Sequence, residues 1–183
     1  MQYTHRYQSP LGGILLVCDD EGLTGLWFEG QKYFAAGIDP EHEEREHPVL
    51  EQSVRWLDRY FSGQEPDFLP PLHMIGSPFR LAVWEILCQI PCGKTMTYGE
   101  IGKRIAQQRG LPHMSAQAVG GAVGHNPISI IVPCHRVVGT NGSLTGYAGG
   151  VDKKIKLLEL EQVDTRKFFI PAKGTVQQKR NRR

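Results

Sequence analysis

A short apolar run that stops at a proline constrains this chain more than any other feature. Residues 128–132 are almost all β-branched and apolar, which predicts a buried strand. Pro133 cannot donate to a sheet, so the pairing is predicted to end there and the chain to turn. Cys134, His135 and Arg136 follow at once, placing a thiol, an imidazole and a guanidinium at the exit of a buried segment. This arrangement favours a nucleophilic cysteine over a core cysteine.

A nucleophilic Cys134 needs help, because a free thiol is only a few per cent ionised near neutral pH. His135 is the nearest base, but neighbouring side chains of a strand point to opposite faces. The two can cooperate only if the proline breaks the strand or a water bridges them. A carboxylate should then orient the imidazole, and the last predicted helix offers Glu159 and Glu161. Arg136 either lowers the thiol pKa or pairs with a carboxylate.

The two halves of the chain carry opposite charge. Residues 1–76 hold five Lys/Arg and thirteen Asp/Glu, a net of −8, whereas residues 77–183 hold sixteen and six, a net of +10. The basic terminus does not explain this, because residues 77–163 alone keep a net of +4. The asymmetry predicts that the second half binds a polyanion and that the first half does not contact it.

The four cysteines show neither disulfide-scaffold nor zinc-ribbon spacing. Cys88 and Cys92 are a weak metal pair without companion ligands, so we predict no metal and no cofactor. The sequence shows no signal peptide and no long apolar span, which predicts a cytoplasmic protein that does not enter membranes. We further expect a monomer.

The first half, residues 1–76, is predicted to be an acidic scaffold domain. Two apolar segments within residues 14–28 are separated by turn residues, which predicts an antiparallel meander. Residues 31–48 are polar and acidic and are predicted to be loop. Residues 49–61 have apolar side chains at helical spacing and predict an amphipathic helix. Three histidines are predicted to be solvated: His5, His42 and His47.

The second half, residues 77–170, follows a proline-rich linker at 64–71 and is predicted to be mainly helical. Ser77 and Pro78 open one helix as N-cap and first residue. Thr97 and Glu100 form a capping box that opens the next helix. Two further helices are predicted at 114–123 and 152–160, with a hairpin at 139–145 and a segment folding back at 168–171. Residues 171–183 are predicted to be a disordered basic tail.

Two short helices joined by a turn suggest a helix-turn-helix arrangement, but the second helix is unusual. Residues 114–123 offer small side chains and two glycines where a major-groove reader would carry Arg, Asn or Lys. Each glycine weakens a helix by about 1 kcal/mol relative to alanine. Either a partner approaches this helix backbone closely, or the helix packs tightly inside the protein.

The motif Pro-Cys-His-Arg at 133–136, with Asn126-Pro127 before it and Gly-Tyr-Ala-Gly-Gly at 146–150 after it, resembles the O6-alkylguanine-DNA alkyltransferases. These are methylated-DNA–protein-cysteine methyltransferases, and the likeness is to the bacterial Ogt type. The resemblance covers nearly the whole chain and is strongest over residues 77–161. It implies an α/β, RNase-H-like N-terminal domain with an antiparallel sheet and a helix. A mostly α, winged-helix-like C-terminal domain that approaches the minor groove should follow.

The resemblance also implies an activity, the direct-reversal repair of duplex DNA carrying O6-alkylguanine, with O4-alkylthymine as a second candidate lesion. The damaged base is flipped into a pocket, and Cys134 keeps the alkyl group as a thioether, once per molecule. His135 is expected to act as base through a water, with Glu161 orienting it. Asn126 is expected to brace the turn. Tyr98 is expected to bear on the flipped nucleotide's phosphate and on protonation at guanine N3.

The remaining implied roles concern the base and the duplex. The expected base pocket comprises main-chain groups of Cys134 with Val137, Tyr147, Ala148 and Gly149. The expected DNA contacts come from Thr97, Arg109, Ser115, Gln117, Ala118, Gly120, Gly121 and Arg136. Many relatives carry an arginine finger where this chain has Gln117, which can stack into the gap and hydrogen-bond the orphaned cytosine without charge.

Three other functions compete with this interpretation. A lesion-binding module that does not transfer the alkyl group would lack the cysteine, so Cys134 argues against it. A cysteine hydrolase or redox enzyme must regenerate its thiol, whereas a thioether is stable. A helix-turn-helix regulator would use Cys134 only as a buried structural residue.

Overall fold

The computed structural model describes residues 1–171, so that nearly all of the predicted basic tail lies outside the described residues. The first half forms one four-stranded sheet with the order β3-β2-β1-β4, followed by a helix. Its elements are β1 (Gln2–Ser9), β2 (Gly12–Cys18), β3 (Leu23–Phe28), β4 (His42–Glu44) and α1 (Pro48–Phe61). The predicted antiparallel meander is present as β1 to β3.

The prediction of an uninterrupted loop over residues 31–48 is wrong, because β4 pairs parallel to β1 there. Its three residues are exposed and polar, so the segment lacks the alternation that marks a half-buried strand. His47 is not a solvated side chain either. Its Nδ1 accepts a hydrogen bond of 3.2 Å from the Val49 amide and caps α1, and its ring stacks on Tyr3.

The second half is a helical assembly with one short sheet. Its elements are α2 (Pro78–Cys88), β5 (Met96–Thr97), α3 (Tyr98–Arg109), α4 (Ala116–Gly124), β6 (Val137–Val138) and α5 (Val151–Leu160). The predicted caps are present. Ser77 accepts from the Arg80 amide at the start of α2, and the Thr97–Glu100 capping box opens α3. Strands β5 and β6 pair in parallel and join the start of α3 to the segment that follows the cysteine.

The apolar run at 128–132 is buried, but it is not a strand. Only Ile128 bridges to the sheet, beside Leu26 of β3, and the chain then turns. The Ile131 amide bonds to the Ser129 carbonyl at 2.8 Å, and the Val132 amide bonds to the Ile128 carbonyl at 3.1 Å. A short run enclosed on all sides shows no periodicity that separates strand from turn. The run therefore forms a compact buried turn, laid against the edge of the first sheet.

The predicted hairpin at 139–145 closes around its Asn141-Gly142 turn, where the Gly139 amide bonds to the Ser143 carbonyl at 2.9 Å, and a further segment pairs with its second half. The Leu144 amide bonds to the Phe169 carbonyl at 2.8 Å, and the Phe169 amide bonds to the Gly142 carbonyl at 3.1 Å. The fold-back predicted for 168–171 is thus confirmed, and it pairs with the second half of the hairpin as a third segment. Among the described residues, no helix is long and apolar enough to cross a membrane.

Trp84 joins α2 to α4. Its side chain is fully buried, and its indole N–H donates to the Ala122 carbonyl at 2.8 Å. The contact fixes the small-residue helix against the long apolar face of α2.

We predict that Trp84→Phe lowers the free energy of unfolding by about 1–3 kcal/mol, because it leaves a cavity and removes the donor to Ala122. Urea denaturation measures this. Trp56→Phe, the same change in α1, provides the comparison. Equal losses at positions 84 and 56 would show that the indole hydrogen bond contributes nothing.

Candidate active site

The Cys-His-Arg motif forms a single turn of 3₁₀ helix, Cys134–Arg136. Pro133 does not end a strand, because contact with the sheet already stops at Ser129, and the Cys134 amide bonds back to the Val132 carbonyl at 2.9 Å. The Cys134 carbonyl accepts from the Val137 amide. Because the backbone is turned rather than extended, Cys134 and His135 no longer point to opposite faces as they would in a strand.

Asn126 holds the buried turn that leads to the cysteine. Its side-chain amide donates to the Val132 carbonyl at 2.7 Å, and its side-chain carbonyl accepts from the Ile128 amide at 3.0 Å. Within this turn Ile130 has φ 69°, the left-handed region that a β-branched residue rarely adopts. Asn126 therefore ties together the two ends of a strained segment.

Glu161 is the buried carboxylate on which the site converges. It accepts hydrogen bonds from His135 Nε2 at 2.5 Å, Tyr60 Oη at 2.6 Å and Arg136 Nε at 2.6 Å. Burial alone would raise its pKa, but the bonds from His135 and Arg136 outweigh burial and lower the pKa to about 2. The other candidate, Glu159, is exposed and does not face the imidazole.

This arrangement fixes the tautomer of His135. The ring is completely buried, and burial lowers its pKa below 6.5, so that it is neutral at physiological pH. Since Glu161 is ionised and accepts at Nε2, the single ring proton lies on Nε2. Nδ1 then carries the lone pair, and it has no hydrogen-bond partner among residues 1–171. His135 is thus a proton acceptor whose basic atom is unoccupied.

The Cys134 thiol is buried, with 6% of the residue exposed. Burial raises its pKa, while the Asn126 side chain and the charge of Lys154 partly oppose that rise. The thiol is therefore protonated at neutral pH and needs a base before it can act as a nucleophile.

Lys154 is a component that the sequence interpretation missed. It is fully buried on α5, its ammonium donates to the Thr145 carbonyl at 3.1 Å, and burial lowers its pKa to about 8. Lys154 and Glu161 are seven residues apart, with buried Leu157 and Leu158 between them. The pattern available in the sequence was a lysine on the apolar stripe of α5, with a carboxylate in line with it just after the end of the helix.

Two tyrosines, Tyr98 and Tyr147, lie close enough to Cys134 for its charge to raise their pKa values further. Tyr98, the first residue of α3, donates to the Thr145 carbonyl at 3.3 Å, and burial raises its pKa to about 12. Tyr147 is buried, and its hydroxyl has no hydrogen-bond partner within the described part of the chain. A β-carbon added at Gly149 would lie 3.0 Å from the Tyr147 ring. The loop at 146–150 must therefore stay small for Tyr147 to occupy this position.

Comparison with known proteins bears on the whole chain. The family models for the ribonuclease-like domain and the DNA binding domain of 6-O-methylguanine DNA methyltransferase match residues 2–74 and 78–163. A methylated-DNA–protein-cysteine methyltransferase of Methanosarcina mazei is 46% identical over 87% of this chain and 97% of its own. One from Haemophilus influenzae is 40% identical over 89% of this chain and 87% of its own. This chain belongs to the 6-O-methylguanine DNA methyltransferase family.

Solved structures of the family have the same fold. Mycobacterium tuberculosis OGT in complex with DNA is 39% identical, with a TM-score of 0.74 over 90% of this chain and 98% of its own. The expected fold, a ribonuclease-like sheet and helix followed by a helical DNA-binding domain, is thereby confirmed. No group of three or more potential metal ligands comes together within residues 1–171.

In this methyltransferase, helix α4 presents its small residues to open space. Gln117 and Ala118 are exposed, while the Ser115 hydroxyl caps the helix by accepting from the Ala118 amide at 3.3 Å. A β-carbon added at Gly120 or Gly121 would meet no atom within 4 Å among the described residues. Tight internal packing therefore does not explain the two glycines. This favours the other explanation, that a partner approaches the helix backbone closely.

Three other residues expected at the DNA have different surroundings. Arg136 is buried, and its guanidinium binds Glu161 and, at 2.6 Å, the Ile90 carbonyl, so it serves the carboxylate rather than a phosphate. The Arg109 guanidinium lies over the Phe79 ring, 5.2 Å from its centre. Thr97 uses its hydroxyl to cap α3.

We predict that Glu161→Gln slows alkyl transfer by about 10²–10⁴-fold, the usual contribution of the positioned base that Glu161 orients. The neutral amide no longer favours the proton on Nε2, so Nδ1 loses its lone pair for part of the time. Single-turnover rates measure this, at a temperature where circular dichroism shows the variant folded. Glu159→Gln on the same helix should react like the parent protein, and an unimpaired Glu161→Gln would contradict this role.

Proposed function

We propose that this protein repairs duplex DNA directly, by transferring the alkyl group of O6-alkylguanine irreversibly to Cys134. The observation that carries the proposal is the unoccupied Nδ1 of His135, next in sequence to a buried thiol and held in the basic tautomer by Glu161. Membership of the family and the DNA-bound relative of similar fold support DNA as the partner. O4-alkylthymine is the second lesion that we propose.

The reaction proceeds as one displacement. His135 Nδ1 takes the thiol proton through a water, and the charge of Lys154 favours the thiolate that remains. The sulfur attacks the alkyl carbon as the bond from that carbon to guanine O6 breaks, and the electron pair leaves on the base. The guanine anion takes up one proton, near Tyr98 in the proposed pose, and becomes guanine, so the proton that the thiol gave up to His135 is balanced by the proton that the base gains. Cys134 becomes a thioether.

The product of this step separates the proposal from a cysteine hydrolase. An acyl thioester is open to attack by water, whereas an alkyl thioether has no electrophilic carbonyl. His135 therefore has no second step to catalyse, and the protein is used once. Every side chain in the sequence of events comes from one chain, which supports action as a monomer.

We predict that duplex DNA with labelled O6-methylguanine transfers one label per protein molecule, and that Cys134→Ala abolishes the transfer. Mass spectrometry of the protein should locate the added methyl group on Cys134. Cys88→Ala, which removes an exposed thiol on α2, should transfer as the parent does.

Two results would contradict the mechanism. Repeated turnover would indicate a hydrolase or a catalytic demethylase, and labelling that persists in Cys134→Ala would place the acceptor elsewhere. Binding of the damaged duplex without any transfer by the parent protein would support the lesion-binding alternative.

A second prediction concerns Gln117, which is exposed on α4 at the proposed finger position. Gln117→Arg should tighten duplex binding and steepen its salt dependence, because it adds a cation at the DNA surface. Fluorescence anisotropy across a salt series measures both quantities. Gln52→Arg in α1 adds the same charge in the acidic half and should change neither. Unchanged affinity and slope in Gln117→Arg would place this residue away from the DNA.

A further inference from the structure

The first domain reaches the proposed base pocket through the segment that follows β3. Residues 28–33, here called the bracing segment, begin with Phe28, whose amide is capped by the Gln31 side-chain oxygen at 2.9 Å. The Gln31 amide bonds back to the Phe28 carbonyl at 3.2 Å. Gly30, at φ 79°, allows the tight turn between them. These bonds make the segment a defined turn.

The bracing segment binds the loop 146–150 directly. The Lys32 amide donates to the Ala148 carbonyl at 3.1 Å. A β-carbon added at Gly149 would lie 3.2 Å from the Phe28 ring, so the two are packed together. The Lys153 ammonium, at the start of α5, lies 5.5 Å from the centre of the same ring. One face of the proposed base-reading loop therefore rests on the first domain.

The same segment also meets the end of α4. The Tyr33 ring stacks on the His125 ring, with centroids 4.1 Å apart and planes 24° apart. His125 Nδ1 bonds to the Gly121 carbonyl at 2.7 Å, which ties the ring to the last turn of α4. His125 directly precedes Asn126, the residue that braces the turn before the cysteine. The stack is therefore placed between the proposed DNA helix and the nucleophile's support.

The backbone of Tyr33 is strained in this position. Its φ of 58° lies in the left-handed region, where a non-glycine residue is strained, and the residue is nearly half exposed. Little burial of its own offsets that cost. The observed compensation is the contact with His125, together with the hydrogen bond that its neighbour Lys32 makes to Ala148.

We infer that Tyr33 is a positioning residue for alkyl transfer, which holds the Asn126 turn in register with the base-reading loop through its stack on His125. The inference rests on the proposed function and extends it to the acidic first domain. Tyr33 stacks on His125 and is not one of the residues that bind Glu161. It should therefore affect the rate of transfer from bound DNA more than the binding of DNA.

The test measures single-turnover transfer over a range of duplex concentrations, which separates the limiting rate from the concentration at half-maximal rate. Tyr33→Ala should lower the limiting rate about three- to tenfold, the size of one lost aromatic contact, with half-maximal concentration within about twofold of the parent. Tyr33→Phe keeps the stack and should restore the rate. Phe34→Ala is the matched control, because Phe34 packs on Trp27 and not on the site.

A double-mutant cycle with His125→Ala tests the route of the effect. If Tyr33 acts through His125, the double variant should be no slower than His125→Ala alone. Independent, additive losses would overturn the inference.

Three further outcomes would also overturn the inference: a Tyr33→Ala variant as fast as the parent, a loss confined to the half-maximal concentration, or an equal loss in Phe34→Ala. The second would mean that Tyr33 contacts DNA instead. Failure of the parent protein itself to transfer the label would refute the proposed function, which keeps the two claims separable.

Discussion

The buried Glu161 carboxylate is the interaction on which the rest of this site depends. A buried charge is costly unless donors surround it, and here three donors come from two separate elements. Tyr60 belongs to α1 of the first domain, while His135 and Arg136 belong to the 3₁₀ turn. Removing any one of them would leave the charge less well satisfied. The carboxylate thus links the fold of the first domain to the tautomer of the proposed base.

The first domain supports the site along its sheet edge as well. Strand β3 lies at the edge of the sheet, and unpaired edges invite association with other chains. Here the Leu26 amide and carbonyl bond to Pro127 and Ser129, at 2.8 and 3.0 Å. The buried turn before Cys134 therefore covers part of the edge while the edge fixes the turn. The acidic domain, predicted as a scaffold, contributes hydrogen bonds to the buried turn before Cys134, to the loop at 146–150 and to Glu161.

Sequence patterns predicted the local parts of this architecture well. The Ser77 cap and the Thr97–Glu100 box each depend on residues within a few positions of one another, so a short stretch of sequence is enough to predict them. The choice of Glu161 over Glu159 came from family resemblance, because residue types alone left both open. Tyr60 lies 101 residues from Glu161, and no residue near Tyr60 in the sequence indicates that the two are in contact.

The prediction for residues 128–132 failed and Lys154 was missed because these residues are buried on several sides, which removes the periodic pattern of apolar and polar residues that sequence prediction uses. The run at 128–132 is apolar because it is enclosed, and enclosure is compatible with strand or turn. The left-handed Ile130 runs against the preference of its own side chain and persists because Asn126 and β3 hold both ends of the turn. Lys154 was missed because a charge on an apolar stripe is commonly solvated at its tip, whereas here the whole residue is enclosed.

Helix α4 shows how the structure decides between two explanations that the sequence left open. Glycines that served internal packing would have protein atoms against their α-carbons, but Gly120 and Gly121 face open space in the described residues. Their cost to the helix is therefore not recovered within this part of the chain. Contact with a partner would offset this loss of helix stability. The net positive charge of the second half favours a polyanion as that partner. An uncharged, side-chain-poor surface inside a basic domain suits close approach to a sugar–phosphate backbone better than readout of base edges by long side chains.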